Sequence, residues 1–155
     1  MGFRISGLAS RQFAHLFGRP DDVLAANGAV RRIVDEHPGY PCRIALVDAP
    51  LGRPVLLVNY EHLPVATPFR SRHAVYVQED AEAAALAVGE VPAVLRRRVL
   101  SVRAFDRAGM MVDADIVDGV SLEPVVERLL GIAETEFLHV HFAKPGCFAA
   151  RVDRA

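Results

Sequence analysis

Six of the ten prolines fall between residues 38 and 68, at Pro38, Pro41, Pro50, Pro54, Pro64 and Pro68. Each removes a backbone donor and fixes φ, so none fits the interior of a helix or of a central strand. This stretch is therefore limited to short strands joined by tight turns. The apolar runs left between the prolines, residues 42–47 and 55–60, read as two such strands. Residues 30–34 before them and 73–77 after them read as two more.

The remaining segments are equally short. Residues 3–5 suit a first strand. Residues 99–105 and 110–117 read as a hairpin around Asp106-Arg107-Ala108-Gly109, where glycine supplies positive φ. Residues 137–142 and 148–152 read as a closing pair of strands around Lys144-Pro145-Gly146. Ser10 caps a helix that Gly18 stops, with Phe13, Leu16 and Phe17 on one face. Asp21 or Asp22 caps a further helical turn through Asn27-Gly28. Residues 79–98 read as helical in part, with Pro92 in a first turn. Ser121 caps a helix ended by Gly131, with Val125, Val126, Leu129 and Leu130 as its buried stripe. That makes about eight or nine strands and three or four helices. Most connections are shorter than the dozen or so residues a parallel crossover needs. The expected fold is α+β: a single domain over residues 1–155, with a mainly antiparallel sheet and three or four short helices packed on it.

A chain of 155 residues suits one domain and buries roughly 70% of its unfolded surface without cross-links. The net charge is -1, so no basic excess invites a nucleic-acid partner. The basic residues are arginines apart from Lys144, and with so much alanine and valine this composition fits a bacterial, GC-rich source. No apolar run approaches the roughly 20 residues of a membrane helix, and residues 1–7 contain no leader-like apolar core. A cytoplasmic protein with no membrane partner is expected. Two cysteines, Cys42 and Cys147, make no disulfide framework. The glycine-rich dinucleotide fingerprint, the phosphate-binding loop, the serine-hydrolase elbow and the His-Glu-x-x-His zinc motif are all missing, so no nucleotide cofactor is expected. No pattern sets an oligomeric state.

Five segments together carry a family likeness: Phe3-Arg4-Ile5-Ser6-Gly7-Leu8; Gly39-Tyr40-Pro41-Cys42-Arg43; Asn59-Tyr60-Glu61-His62; residues 105–114; and residues 146–152. They resemble a bacterial family catalogued as a domain of unknown function, number 1203. The resemblance spans nearly the whole chain and implies one domain. It brings no activity and no catalytic residue with it.

Chemistry must therefore be sought in the residues. In 137–142 the side chains alternate, putting Leu138, Val140 and Phe142 on one face and His139 and His141 on the other. In the next strand Phe148, Ala150 and Val152 are the apolar set, and Cys147, Ala149 and Arg151 the alternate one. If both apolar sets face the core, His139, His141, Cys147 and Arg151 share the opposite face. Two imidazoles and a thiol on one surface suit a zinc ion or an activated thiolate. The plain alternative is a solvated strand face. A second group, Glu61 and His62 at a strand end with His73 downstream, offers an acid–base pair or ligand contacts. Catalytic candidates are thus Cys147, His141, His139 and Glu61. Ligand-binding candidates are Arg151, His62 and His73, and a metal would fall to His139 and His141. Asp113 and Asp115 fail the calcium-loop pattern, though they share a strand face. Arg96-Arg97-Arg98 reads as solvated surface, and Cys42 as core. The leading expectation is a small cytoplasmic module that binds a small molecule or a metal through the His/Cys/Arg strand face. The alternatives are a small thiol-dependent or metal-assisted hydrolase, and a structural or protein-interaction domain.

Overall fold

A computed structural model describes residues 2–155; Met1, the first residue of the segment read as leaderless, lies outside them. The strands are β1 (Phe3–Ser6), β2 (Val30–Ile33), β3 (Pro41–Cys42), β4 (Val47–Asp48), β5 (Pro54–Leu63), β6 (Ser71–Gln78), β7 (Val99–Phe105), β8 (Met111–Asp118), β9 (Phe137–Phe142) and β10 (Phe148–Arg154). The α-helices are α1 (Asp21–Ala26), α2 (Ala93–Arg96) and α3 (Leu122–Leu130). Every strand pairing is antiparallel. The larger sheet runs β1-β10-β9-β7-β8, the smaller β2-β5-β6, and β3-β4 form a two-residue bridge. This is the α+β fold with a mainly antiparallel sheet that the short connections require. No helix among the described residues is long and apolar enough to cross a membrane.

Three layers result. One face of the larger sheet carries Leu100, Val102, Leu138, Val140, Ala150 and Val152. It packs against Leu122, Val126, Leu129 and Leu130 of α3 and Val94 and Leu95 of α2. The α3 positions fall at i, i+4, i+7 and i+8, one apolar stripe of a helix. Full burial of each of these leucines and valines contributes about 1.5–3 kcal/mol. The opposite face of the larger sheet meets the smaller one. Phe148 packs there with Leu56 and Val58 of β5 and Val75 and Val77 of β6.

Three local expectations give way to tertiary contacts. Residues 10–18 form a single 3-10 turn, Ser10–Gln12, followed by further turns rather than a helix. Their bonds run from residue i+3, as in Phe13 N–H to Ser10 O at 3.0 Å and Leu16 N–H to Phe13 O at 2.9 Å. Nine residues are too few to hold a helix by propensity alone. The burial of Phe13 and Leu16 decides their geometry instead. Residues 79–92 are likewise irregular, and only Ala93–Arg96 are helical. Their backbone donors go to distant partners: Ala84 N–H to Ile44 O at 3.0 Å and Gly89 N–H to Phe3 O at 2.8 Å. Residues 42–47 are not one strand. β3 and β4 flank a tight turn over 43–46, in which Leu46 takes a φ of 54°.

Candidate functional site

The β9–β10 hairpin contains a bulge that the alternating pattern conceals. Phe148 lies opposite His141, yet Ala150 lies opposite Val140, so an extra residue is inserted at Ala149. A bulge of this kind reverses which side chains share a face. Phe148 therefore joins His139 and His141. Cys147 turns to the other side, into the cluster with Phe142 and Val140. This corrects the expected His139, His141, Cys147, Arg151 face: Cys147 leaves it. Arg151 remains, directly opposite His139. Nor is that face solvated, because all six residues of β9 are buried.

What covers it is β5. His62 brings its ring to 4.9 Å from His141 and 5.9 Å from His139, centroid to centroid, and stacks on Phe148 at 5.6 Å. The three imidazoles drawn from separate sequence segments do meet. Burial drives all three towards the neutral form, His62 to about 4 and His139 and His141 to about 3. Arg103 adds to the effect on each of them. It sits on β7 opposite His139, as Arg151 does on β10. His141 Nδ1–H donates to the Gly146 carbonyl at 3.0 Å, which leaves Nε2 bare. The Nδ1 atoms of His62 and His139 and Nε2 of His141 are buried without a protein partner. No group of three or more His, Cys, Asp or Glu among the described residues has the arrangement to hold a metal ion. The cluster as built is an aromatic and imidazole core bounded by guanidinium groups.

The other candidates fall elsewhere. Glu61 is engaged by Arg70 at 3.1 Å. Asp113 and Asp115 both pair with Arg128, at 3.2 and 2.6 Å. The Arg96-Arg97-Arg98 run is not idle surface. Arg96 pairs with Glu123, and Arg97 and Arg98 reach the buried carboxylate of Asp48 at 2.9 and 2.6 Å. Burial pushes Asp48 upward, but the hydrogen bonds and charges of Arg98 and Arg97 prevail and hold it below its ordinary value. Arg151 pairs with Asp153 and lies over the Phe137 ring at 4.2 Å. Cys42 is core, as expected, and accepts a bond from Gln78 N–H at 3.2 Å.

The most unusual group is one that pattern reading passes over. Arg43 lies in the turn between β3 and β4 and is 2% exposed. The turn is pressed against the end of β1, where Leu8 N–H donates to Arg43 O at 2.8 Å. The Arg43 guanidinium donates to Phe148 O at 2.8 Å, Pro41 O at 2.7 Å and Cys147 Sγ at 2.8 Å. It lies over the Phe142 ring at 4.9 Å. No carboxylate among the described residues lies within ion-pair distance of it. Burial lowers its pKa from the ordinary value, and Cys147 beside it works in the opposite direction. The one sequence signal was an arginine within the apolar run from Pro41 to Leu46.

Arg43 and Cys147 both line a cavity of about 560 Å³ between the smaller sheet, the start of β7 and the β9–β10 loop. Leu57, Tyr76, Val99, Phe142 and Pro145 give it apolar walls. Arg97, Arg98 and Lys144 add three further cations, His73 also lines it, and none of the lining residues is acidic. Arg98 lies over the same Phe142 ring as Arg43, at 5.0 Å. Asp48 offsets one of the charges from behind.

Fold and site together define a small two-sheet α+β module with a cationic, apolar-walled cavity. The chain belongs to DUF1203, a family described as protein of unknown function, whose match covers residues 39–154. That span contains every cavity residue and leaves β1, α1 and β2 outside it. No curated protein and no solved structure matches the chain.

Proposed function

We propose that this protein binds a small organic anion with an apolar body in the cavity beside Arg43. The observation that carries this reading is Arg43 itself. A buried guanidinium without a carboxylate partner is costly, since a charge removed from water needs a compensating one. Arginine does not escape by losing its proton. Of its five N–H groups, three are engaged, so two remain for a ligand oxygen. A volume of about 560 Å³ lies in the range of small-molecule sites. Its aromatic and aliphatic walls suit an apolar ligand body, and its cations suit a carboxylate or phosphate.

This keeps the small-ligand reading of the sequence and moves its centre from the His139/His141 face to Arg43, Arg98 and Lys144. Of the ligand-binding candidates read from the sequence, His73 lines the cavity, and of the catalytic candidates, Cys147 does. The test is calorimetric titration with phenylacetate and its neutral isostere phenylacetamide. The carboxylate is expected to bind at least tenfold more tightly, a difference of about 1.4 kcal/mol. Lys144→Ala is expected to reduce that preference. Equal affinity for the two compounds, or binding of neither, contradicts the reading.

A further inference from the structure

We propose that the cavity has a second anion subsite at its mouth, formed by Arg97 and Lys144, and that its ligand carries an acidic group at each end of an apolar body. The inference rests on the anion-binding reading of Arg43 and specifies the class of ligand. The cations around the cavity are graded by depth. Arg43, 2% exposed, stands at the floor. The Arg98 side chain is 21% exposed and that of Arg97 44%. Lys144 is exposed in the turn between β9 and β10. Positive charge is therefore present at both ends of the apolar walls rather than at one point.

The outer cations outnumber their partners. Among the described residues, Arg97, Arg98 and Lys144 have one carboxylate within ion-pair distance, that of Asp48, which is fully buried and does not line the cavity. Three cations against one carboxylate leave two positive charges at this end. Arg98 holds Asp48 with two nitrogens and Arg97 with one, so Arg97 is the less committed of the pair. On an open surface such cations are simply solvated. Here they rim an apolar-walled cavity with no acidic lining residue, and low-dielectric walls focus a field of one sign. A monoanion held at Arg43 leaves that outer field unanswered. A single doubly charged group places both charges at the floor, away from Arg97 and Lys144. A ligand with one charge at each end meets both. The span is short, because the Arg43 and Arg98 guanidinium carbons lie 4.9 and 5.0 Å from the centre of the same Phe142 ring. Arg97 stands beside Arg98 on Asp48, so one aromatic ring suits the distance between the two subsites.

The test is calorimetric titration of the full chain with 1,4-phenylenediacetate, its monoamide 4-(carbamoylmethyl)phenylacetate, phenylacetate and phenylacetamide. The diacid is expected to bind at least about tenfold more tightly than the monoamide, which keeps the shape and removes one charge. Lys144→Gln, in an exposed turn and without an ion pair among the described residues, is expected to lower that ratio at least about threefold, and Arg97→Gln to do the same. A ratio of about twofold, the statistical advantage of two identical ends, overturns the outer subsite. If phenylacetate is still preferred to phenylacetamide in that case, the anion-binding reading stands without it. A tenfold ratio that neither substitution moves overturns the assignment to Arg97 and Lys144. No preference for phenylacetate over phenylacetamide defeats the anion-binding reading, and the outer subsite falls with it.

Discussion

Arg43 is held by the Pro41 and Phe148 carbonyls and by the Cys147 sulfur, and all of these are deep in the molecule. Replacing it with methionine keeps much of the volume but strands both carbonyls. Each buried acceptor left unpaired costs about 1–3 kcal/mol. Arg43→Met is therefore expected to lower stability by about 2–5 kcal/mol in urea denaturation. A loss within about 0.5 kcal/mol of zero, the range of ordinary surface changes, would contradict this packing. The imidazole cluster sets a second property. Unfolded, each ring takes up its proton near 6.5; folded, His62 resists to about 4 and His139 and His141 to about 3. The unfolded chain thus binds more protons below pH 6.5, so stability is complete above that pH and falls as acid is added. The loss is about 1.4 kcal/mol per pH unit for each ring at most. Denaturation midpoints between pH 7.5 and 4.5 measure it, and His139→Phe is expected to flatten the slope by about one third of its value. The three histidines were legible as residues of interest because they stand at alternating or terminal strand positions. Arg43 was not, because one charge in an apolar run looks the same whether its side chain turns inward or out.

Among the elements, the turn over residues 43–46 decides where Arg43 points. Gly7 makes it possible. A Cβ there would lie 2.5 Å from Arg43 O and 2.7 Å from Ile44 O, both backbone atoms that have little room to shift. Gly7→Ala is expected to destabilise by on the order of 3 kcal/mol. It should also weaken phenylacetate binding, since the turn that carries Arg43 must move. Unchanged stability and binding, checked by urea melts and calorimetry, would contradict the contact. Elements with strong local signals were legible: the β7–β8 hairpin from its Asp106-to-Gly109 turn, α3 from its apolar stripe, and β9 from its alternation. Elements ruled by distant contacts were not. Both segments carry helical composition, but residues 10–18 commit Phe13 and Leu16 to the core between the sheets, and residues 79–92 send the N–H groups of Ala84 and Gly89 to Ile44 and Phe3. The bulge at Ala149 has no glycine or proline at its own position. Nothing local announced that Cys147 and Phe148 exchange faces.

At the scale of the whole molecule, the two sheets share one interior. Phe148 of the larger sheet packs with Leu56, Val58, Val75 and Val77 of the smaller one, and His62 bridges to His139 and His141. The cavity lies where both sheets, the Arg97-Arg98 connection into β7 and the β9–β10 loop come together. Such a shared core is expected to unfold in one cooperative transition, with far-ultraviolet dichroism and tyrosine fluorescence giving coincident curves. Two separated transitions would mean that the sheets are independent units. The α+β class and the antiparallel pairing followed from connection length alone. The meeting of Arg43, Arg98, Lys144 and Cys147 did not, because it depends on strand order, which short antiparallel connections leave open. The most direct measurement is the side-chain Nε–H resonance of Arg43, followed by nuclear magnetic resonance during titration with phenylacetate. A saturable shift of that resonance, larger than those of arginines outside the cavity, is the expected result. An Arg43 signal that stays fixed while phenylacetate binds elsewhere, or does not bind, would contradict the assignment of this cavity as the site of anion binding.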